Sequence, residues 1–88
     1  MVDNKNRFLY SILPKGDGAV LNISVDPRNS RELKSFFEIF QKKYTKEIDG
    51  EIIHNSTYSN LKIYLDENIE KAKNILIPFI NNLKQDIQ

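Results

Sequence analysis

Cysteine is absent from the 88 residues and histidine occurs once. The first absence removes disulfides, thiolate zinc sites and cysteine nucleophiles together, and it suits a reducing, cytoplasmic setting. A lone histidine with no serine or carboxylate pattern at a matching spacing assembles neither a catalytic triad nor a metal set. His54 is therefore assigned no catalytic role. Long apolar runs are also missing. The longest, Ile75 to Ile80, is interrupted by Pro78 and falls far short of the roughly 20 residues of a membrane span. No basic-then-apolar leader opens the chain, so a chain with no membrane anchor is expected. Charge of one sign is lacking as well: 13 Lys plus Arg face 12 Asp plus Glu, a net of +1. Composition thus exerts no general pull toward nucleic acid, and any basic site must be local.

What is present is periodicity. Residues 7–13, RFLYSIL, alternate so that Phe8, Tyr10 and Ile12 share a side; residues 19–25, AVLNISV, do the same with Ala19, Leu21, Ile23 and Val25. The turn-rich PKGDG between them predicts a hairpin. Asp26 followed by Pro27 offers a helix cap, and Asn29 with Glu32 three residues on offers a competing one. Leu33, Phe36, Phe37, Phe40 and Tyr44 then form one stripe at the helical period. The second half repeats the order: a strand over 50–54, a turn at NSTYS, and a strand over 61–65 with Leu61, Ile63 and Leu65 on one face. Asp66 or Asn68 caps a long helix whose stripe is Ile69, Ala72, Leu76, Phe79, Ile80, Leu83 and Ile87. Pro78 inside it predicts a kink near Asn74 to Pro78.

LNISVD at 21–26 and LKIYLD at 61–66 lie 40 positions apart, and the helices align at an offset of 36. The chain reads as a single domain, 1–88, built from a ββα unit used twice, 7–46 and 48–88. The expected fold is α+β: a ββαββα order giving a four-stranded antiparallel sheet with both helices packed on one face. The other face is left open, with Asn22, Ser24, Lys62, Tyr64 and Val20 directed toward it.

Candidate chemistry is sparse. Asp66 and Glu67 stand at a helix start, where capping explains acidic residues better than acid–base work. PKGDGAV leads into a strand and not into a helix N-terminus, so it does not make a phosphate cradle. Segment 28–46 carries Arg28, Arg31, Lys34, Lys42, Lys43 and Lys46 against Glu32 and Glu38. Arg31, Lys34, Lys42 and Lys46 fall on the side away from the apolar stripe, a face able to touch phosphates. Ile39 on the first helix, and Ile75 and Ile77 beside Pro78 on the second, lie off the stripes and mark a candidate partner surface. No catalytic, cofactor-binding or metal-binding residues are assigned and no cofactor is expected.

From residue 20 onward, about four fifths of the chain, VLNISV (20–25), GEIIHNSTYSNLKIYL (50–65) and IEKAKNILIPFINNLK (69–84) resemble the small dimerising subunit family of the KEOPS complex, which helps make threonylcarbamoyladenosine in transfer RNA. Lys73 stands where that family usually has arginine, and Leu76, Phe79, Ile80 and Leu83 fall at its apolar positions. The strand RFLYSIL is additional to the family's three-stranded sheet, and ILIPFI replaces a polar Asn-Ser. The resemblance implies a subunit with no chemistry of its own, pairing with a like subunit, docking on a catalytic protein and helping the assembly hold transfer RNA. The sequence thus points to a non-enzymatic interaction subunit, with a homodimer or protein partner. Its alternative is a small RNA- or DNA-binding protein using the basic face of the first helix. An enzyme is not expected.

Overall fold

The computed structural model describes residues 7–44, 46 and 48–87; the outermost positions of the span 1–88, with Thr45 and Gln88 in the two repeats, lie outside the described residues. Two hairpins and two helices follow one another as β1 (Phe8–Lys15), β2 (Gly18–Val25), α1 (Ser30–Lys43), β3 (Asp49–His54), β4 (Ser59–Leu65) and α2 (Ile69–Ile87). All neighbours are antiparallel, in the order β1-β2-β4-β3. The fold is the α+β arrangement expected, and the sheet is open.

The first hairpin is tighter than the spacing of its apolar residues predicts. Both strands continue through Pro14, Lys15 and Gly18, leaving only Gly16 and Asp17 as the loop. Gly16 has φ +59, a left-handed conformation that glycine enters without a Cβ penalty. In the second hairpin Asn55 Oδ1 accepts from the backbone N–H of Thr57 at 2.8 Å and of Tyr58 at 2.9 Å. This side-chain turn mimics a backbone one and closes the NSTYS loop.

The two LxIx(V/L)D strands are the central pair of the sheet. Asn22 and Lys62, 40 positions apart, lie directly opposite each other. Ile12 faces Leu21 in the first hairpin and Ile52 faces Leu61 in the second, again 40 positions on. An approximate two-fold between β2 and β4 thus relates the hairpins in register as well as in order.

Alternation sends Ala19, Leu21, Ile23, Val25, Leu61, Ile63 and Leu65 to one side, where Leu33, Phe36 and Phe40 of α1 and Ala72, Leu76, Ile80, Leu83 and Ile87 of α2 complete the core. Fully burying a side chain of this size contributes about 1.5–3 kcal/mol. α2 packs against β1 and β2, while α1 packs against β4 and β3. At the end of α1 Phe40 stacks on Tyr44 with ring centroids 5.2 Å apart, and across the seam it meets Phe79 of α2 edge-on at 5.0 Å. Phe37 lies over Gly50, where a Cβ would collide with its ring.

The caps resolve the competing readings. Asp26 Oδ1 accepts from the Arg28 backbone N–H at 3.0 Å and starts a short 3-10 turn, Pro27–Asn29, before α1. Asn29 makes no side-chain cap bond, and neither its Oδ1 nor Glu32 Oε1 has a hydrogen-bond partner. The reciprocal Asn29–Glu32 cap is therefore not formed. At α2 it is Asn68 that caps, its Oδ1 accepting from the Lys71 N–H at 2.9 Å. α2 runs through Pro78 as one unbroken helix. Asn74 and Pro78 are both exposed, so water can satisfy the carbonyl that the missing donor frees.

Candidate functional site

Among the described residues no element covers the side of the sheet opposite the helices, and the register sets its side chains in three rows. Leu9, Ser24, Asn60 and Ile53 form the first. Ser11, Asn22, Lys62 and Glu51 form the second, and Leu13, Val20, Tyr64 and Asp49 the third. Leu9 is 64% exposed, Leu13 52% and Ile53 47%, whereas Val20 between Leu13 and Tyr64 is buried. The Tyr64 ring covers Gly18, whose missing Cβ leaves the room it fills. A shallow depression of about 270 Å³ lies beside it, bounded by Asp49, Gly50, Glu51, Lys62 and Tyr64. The face is thus apolar at its β1 edge, polar along its middle row, and acidic at its β3 edge except at Ile53.

Ile53 of β3 and the whole of β1 had no place among the candidate interface residues. The signal was available in RFLYSIL, where Leu9 and Leu13 sit at positions that a half-buried strand normally fills with polar residues. Only the sheet order shows that this strand is an edge with both faces apolar.

The four residues proposed from helical periodicity are not gathered into one patch. Ile39 is 48% exposed and lines a narrow groove between α1 and α2 with Ser35, Phe79, Asn82 and Asp86. Ile75 is half-buried and packs against the core, and Ile77 is half-buried. At 3.6 residues per turn Ile75 shares the flank of Phe79, which meets α1, while Ile77 lies on the opposite flank. Pro78 is exposed on the outer surface. A substitution at Ile75 therefore disturbs packing as well as any contact made there.

The basic set also divides. Arg31, Lys34 and Lys42 are exposed along the outer side of α1. Lys46 instead reaches Glu67, its Nζ 2.8 Å from Oε2. The Tyr44 hydroxyl donates to the same oxygen at 2.6 Å, and Lys71 Nζ stands 3.5 Å from Oε1. Glu67 is buried among these donors, and the hydrogen bonds from Lys46 and then Tyr44 lower its pKa to about 2. The same bond raises Lys46, and burial followed by the contact with Glu67 raises the Tyr44 phenol. This cluster ties the end of α1 to the start of α2; its carboxylate is held ionised, the reverse of what a general acid requires.

His54 Nδ1 and Ser59 Oγ share a hydrogen bond at 2.6 Å. Ser59 is fully buried, so the pair fastens the end of the second hairpin and presents no accessible hydroxyl. Among the described residues no group of three or more His, Cys, Asp or Glu is placed to hold a metal ion, and no helix is long and apolar enough to cross a membrane. No family model, curated protein or solved structure matches the chain.

Proposed function

We propose that the chain is a non-enzymatic interaction subunit, pairing with a like chain or docking on a larger assembly through its sheet. The observation that carries this reading is the exposure of Leu9, Leu13 and Ile53 on the uncovered sheet face. Scattered apolar residues are ordinary on a surface; several on one flat face of a small domain favour a partner. The resemblance of residues 20–84 to the KEOPS dimerising subunit gives the reading its specific form, an accessory role in transfer RNA threonylcarbamoyladenosine modification.

A tagged copy recovered from its native cells at moderate salt, with and without ribonuclease, tests this. A stoichiometric protein partner that survives ribonuclease and is lost on Leu9→Lys, Leu13→Lys and Ile53→Lys together is expected. Recovery of a transfer RNA modification ATPase or its companion subunits supports the specific form. Recovery of no second protein or second copy contradicts the general one.

The exposed Arg31, Lys34 and Lys42 favour a second reading, phosphate contact by the outer side of α1. It requires affinity for RNA or DNA that falls steeply with salt and is lost in Lys34→Glu with Lys42→Glu. With Lys46 engaged by Glu67, that face has one fewer charge to give than the sequence implies.

A further inference from the structure

The two outer strands are related by the approximate two-fold, yet they are built differently. Leu9 corresponds to Asp49 and Ser11 to Glu51, each 40 positions on. Carboxylates on β3 do what proteins ordinarily do to an edge strand, discouraging another strand from adding to it. On β1 such residues are confined to Pro14 and Lys15 at the hairpin end. From Phe8 to Pro14 it carries no charge, and Leu9, Leu13 and Tyr10 are 64%, 52% and 46% exposed, the first two on the open face and the third on the helix side.

We propose that β1 is the interface of a homodimer, in which the β1 edges of two copies pair antiparallel about a two-fold at Ser11 and join two four-stranded sheets into one. This rests on the interaction-subunit reading and names the partner as a second copy of the chain. The strand is self-complementary about Ser11. An antiparallel pairing centred there sets Leu9 opposite Leu13 of the second copy on the open face, and Tyr10 opposite Ile12 on the helix side. Each exposed apolar residue of the strand gains an apolar cross-strand neighbour, the contact that stabilises sheets. Small, half-buried Ser11 falls at the axis.

Charge favours this pairing over the others. Two β3 edges would bring Asp49 and Glu51 against their own copies. A β1 edge on a β3 edge would set leucines beside carboxylates, and being head-to-tail it would continue into an open fibre. Only the β1 pairing both closes and keeps charge out of the span from Phe8 to Pro14; Arg7 and Lys15 of opposite copies meet just beyond it at each end, exposed to water that screens them. Pro14, which cannot donate a hydrogen bond, falls opposite Phe8 and ends the ladder on each side.

The helix layer agrees. α2 overlies β1 and β2, so its flank away from α1 is turned toward the β1 edge, and Ile77 lies on that flank. A strand of about 24 Å, with a sheet layer and a helix layer each about 10 Å deep, gives a contact of roughly 1,000 Å² over both copies, at the lower end of specific interfaces. The dimer is therefore expected to dissociate measurably on dilution.

Sedimentation equilibrium of the whole chain, with oxidative cross-linking of Ser11→Cys, tests the proposal. The chain has no native cysteine, so any disulfide reports that position alone. In a directly opposed antiparallel pair the Cα atoms lie about 4.5–5.5 Å apart, within disulfide reach. Expected are a monomer–dimer equilibrium, a covalent dimer of Ser11→Cys and none of Glu51→Cys, and association at least about tenfold weaker in Leu9→Lys with Leu13→Lys. An unchanged circular dichroism spectrum of that exposed double variant shows that folding is not what was lost. A wild-type chain that stays monomeric overturns the proposal while leaving the subunit reading to stand on a different partner. A dimer indifferent to the lysines and not cross-linked at position 11 overturns it too, and places self-association on another surface.

Discussion

At the residue scale the most constrained group is Glu67, a buried carboxylate accepting from Tyr44 and Lys46. Its folded pKa of about 2 lies below the ordinary 4.5. It therefore contributes stability that is fully present above about pH 4.5 and is lost as pH falls through 2. Thermal melts over that window should show the melting temperature falling less steeply in Glu67→Gln than in the wild type, with the two curves converging at the acid end. Parallel curves would show that Glu67 is not held in this way. Two glycines permit a second comparison. A Cβ at Gly18 meets the Leu65 backbone carbonyl as well as the Tyr64 ring, whereas one at Gly50 meets only the tip of the Phe37 ring. Backbone cannot yield as a half-buried ring can, so Gly18→Ala should destabilise by about 1–3 kcal/mol in denaturant unfolding and Gly50→Ala by less.

At the scale of elements, the apolar periods were enough to place both hairpins and both helices, because each element buries one face and so writes its period into the chain. Strand order was not legible. The central pairing of β2 with β4 depends on contacts between segments some 40 residues apart, which no local pattern encodes. The same gap hides the proposed interface: Leu9 and Leu13 become notable only once β1 is known to be an edge. Lys46 illustrates the same limit: it follows the end of α1, and a helical wheel cannot show that it pairs with Glu67, 21 residues away. Pro78 lies inside α2, which continues through it, and the proline is on the helix's wet side. Pro78→Ala restores a donor for the Asn74 carbonyl at no packing cost. It should raise unfolding free energy by about 1–2 kcal/mol in urea titrations, after allowing for the looser unfolded chain. A loss of stability would mean that the proline ring makes contacts worth more than the hydrogen bond.

At the scale of the whole molecule, the fold is an asymmetric version of a symmetric plan. Two ββα units share a sheet, one outer strand is blunted by Asp49 and Glu51, and the other is left apolar on both sides. A chain of this size has limited surface to bury by itself, and a second copy against β1 would extend its sheet as well as its core. Apart from Ile39 on α1, the exposed aliphatic residues among those described lie on the outer strands. The most direct measurement is amide hydrogen exchange across β1, read residue by residue at low and at high protein concentration. In an isolated sheet the alternate amides of residues 8–13 that point away from β2 have only water as a partner and exchange quickly. Pairing of β1 edges predicts that these amides become protected as concentration rises, while those of β3 do not. Rapid exchange of the outward amides at every concentration, with the protein intact, would contradict it.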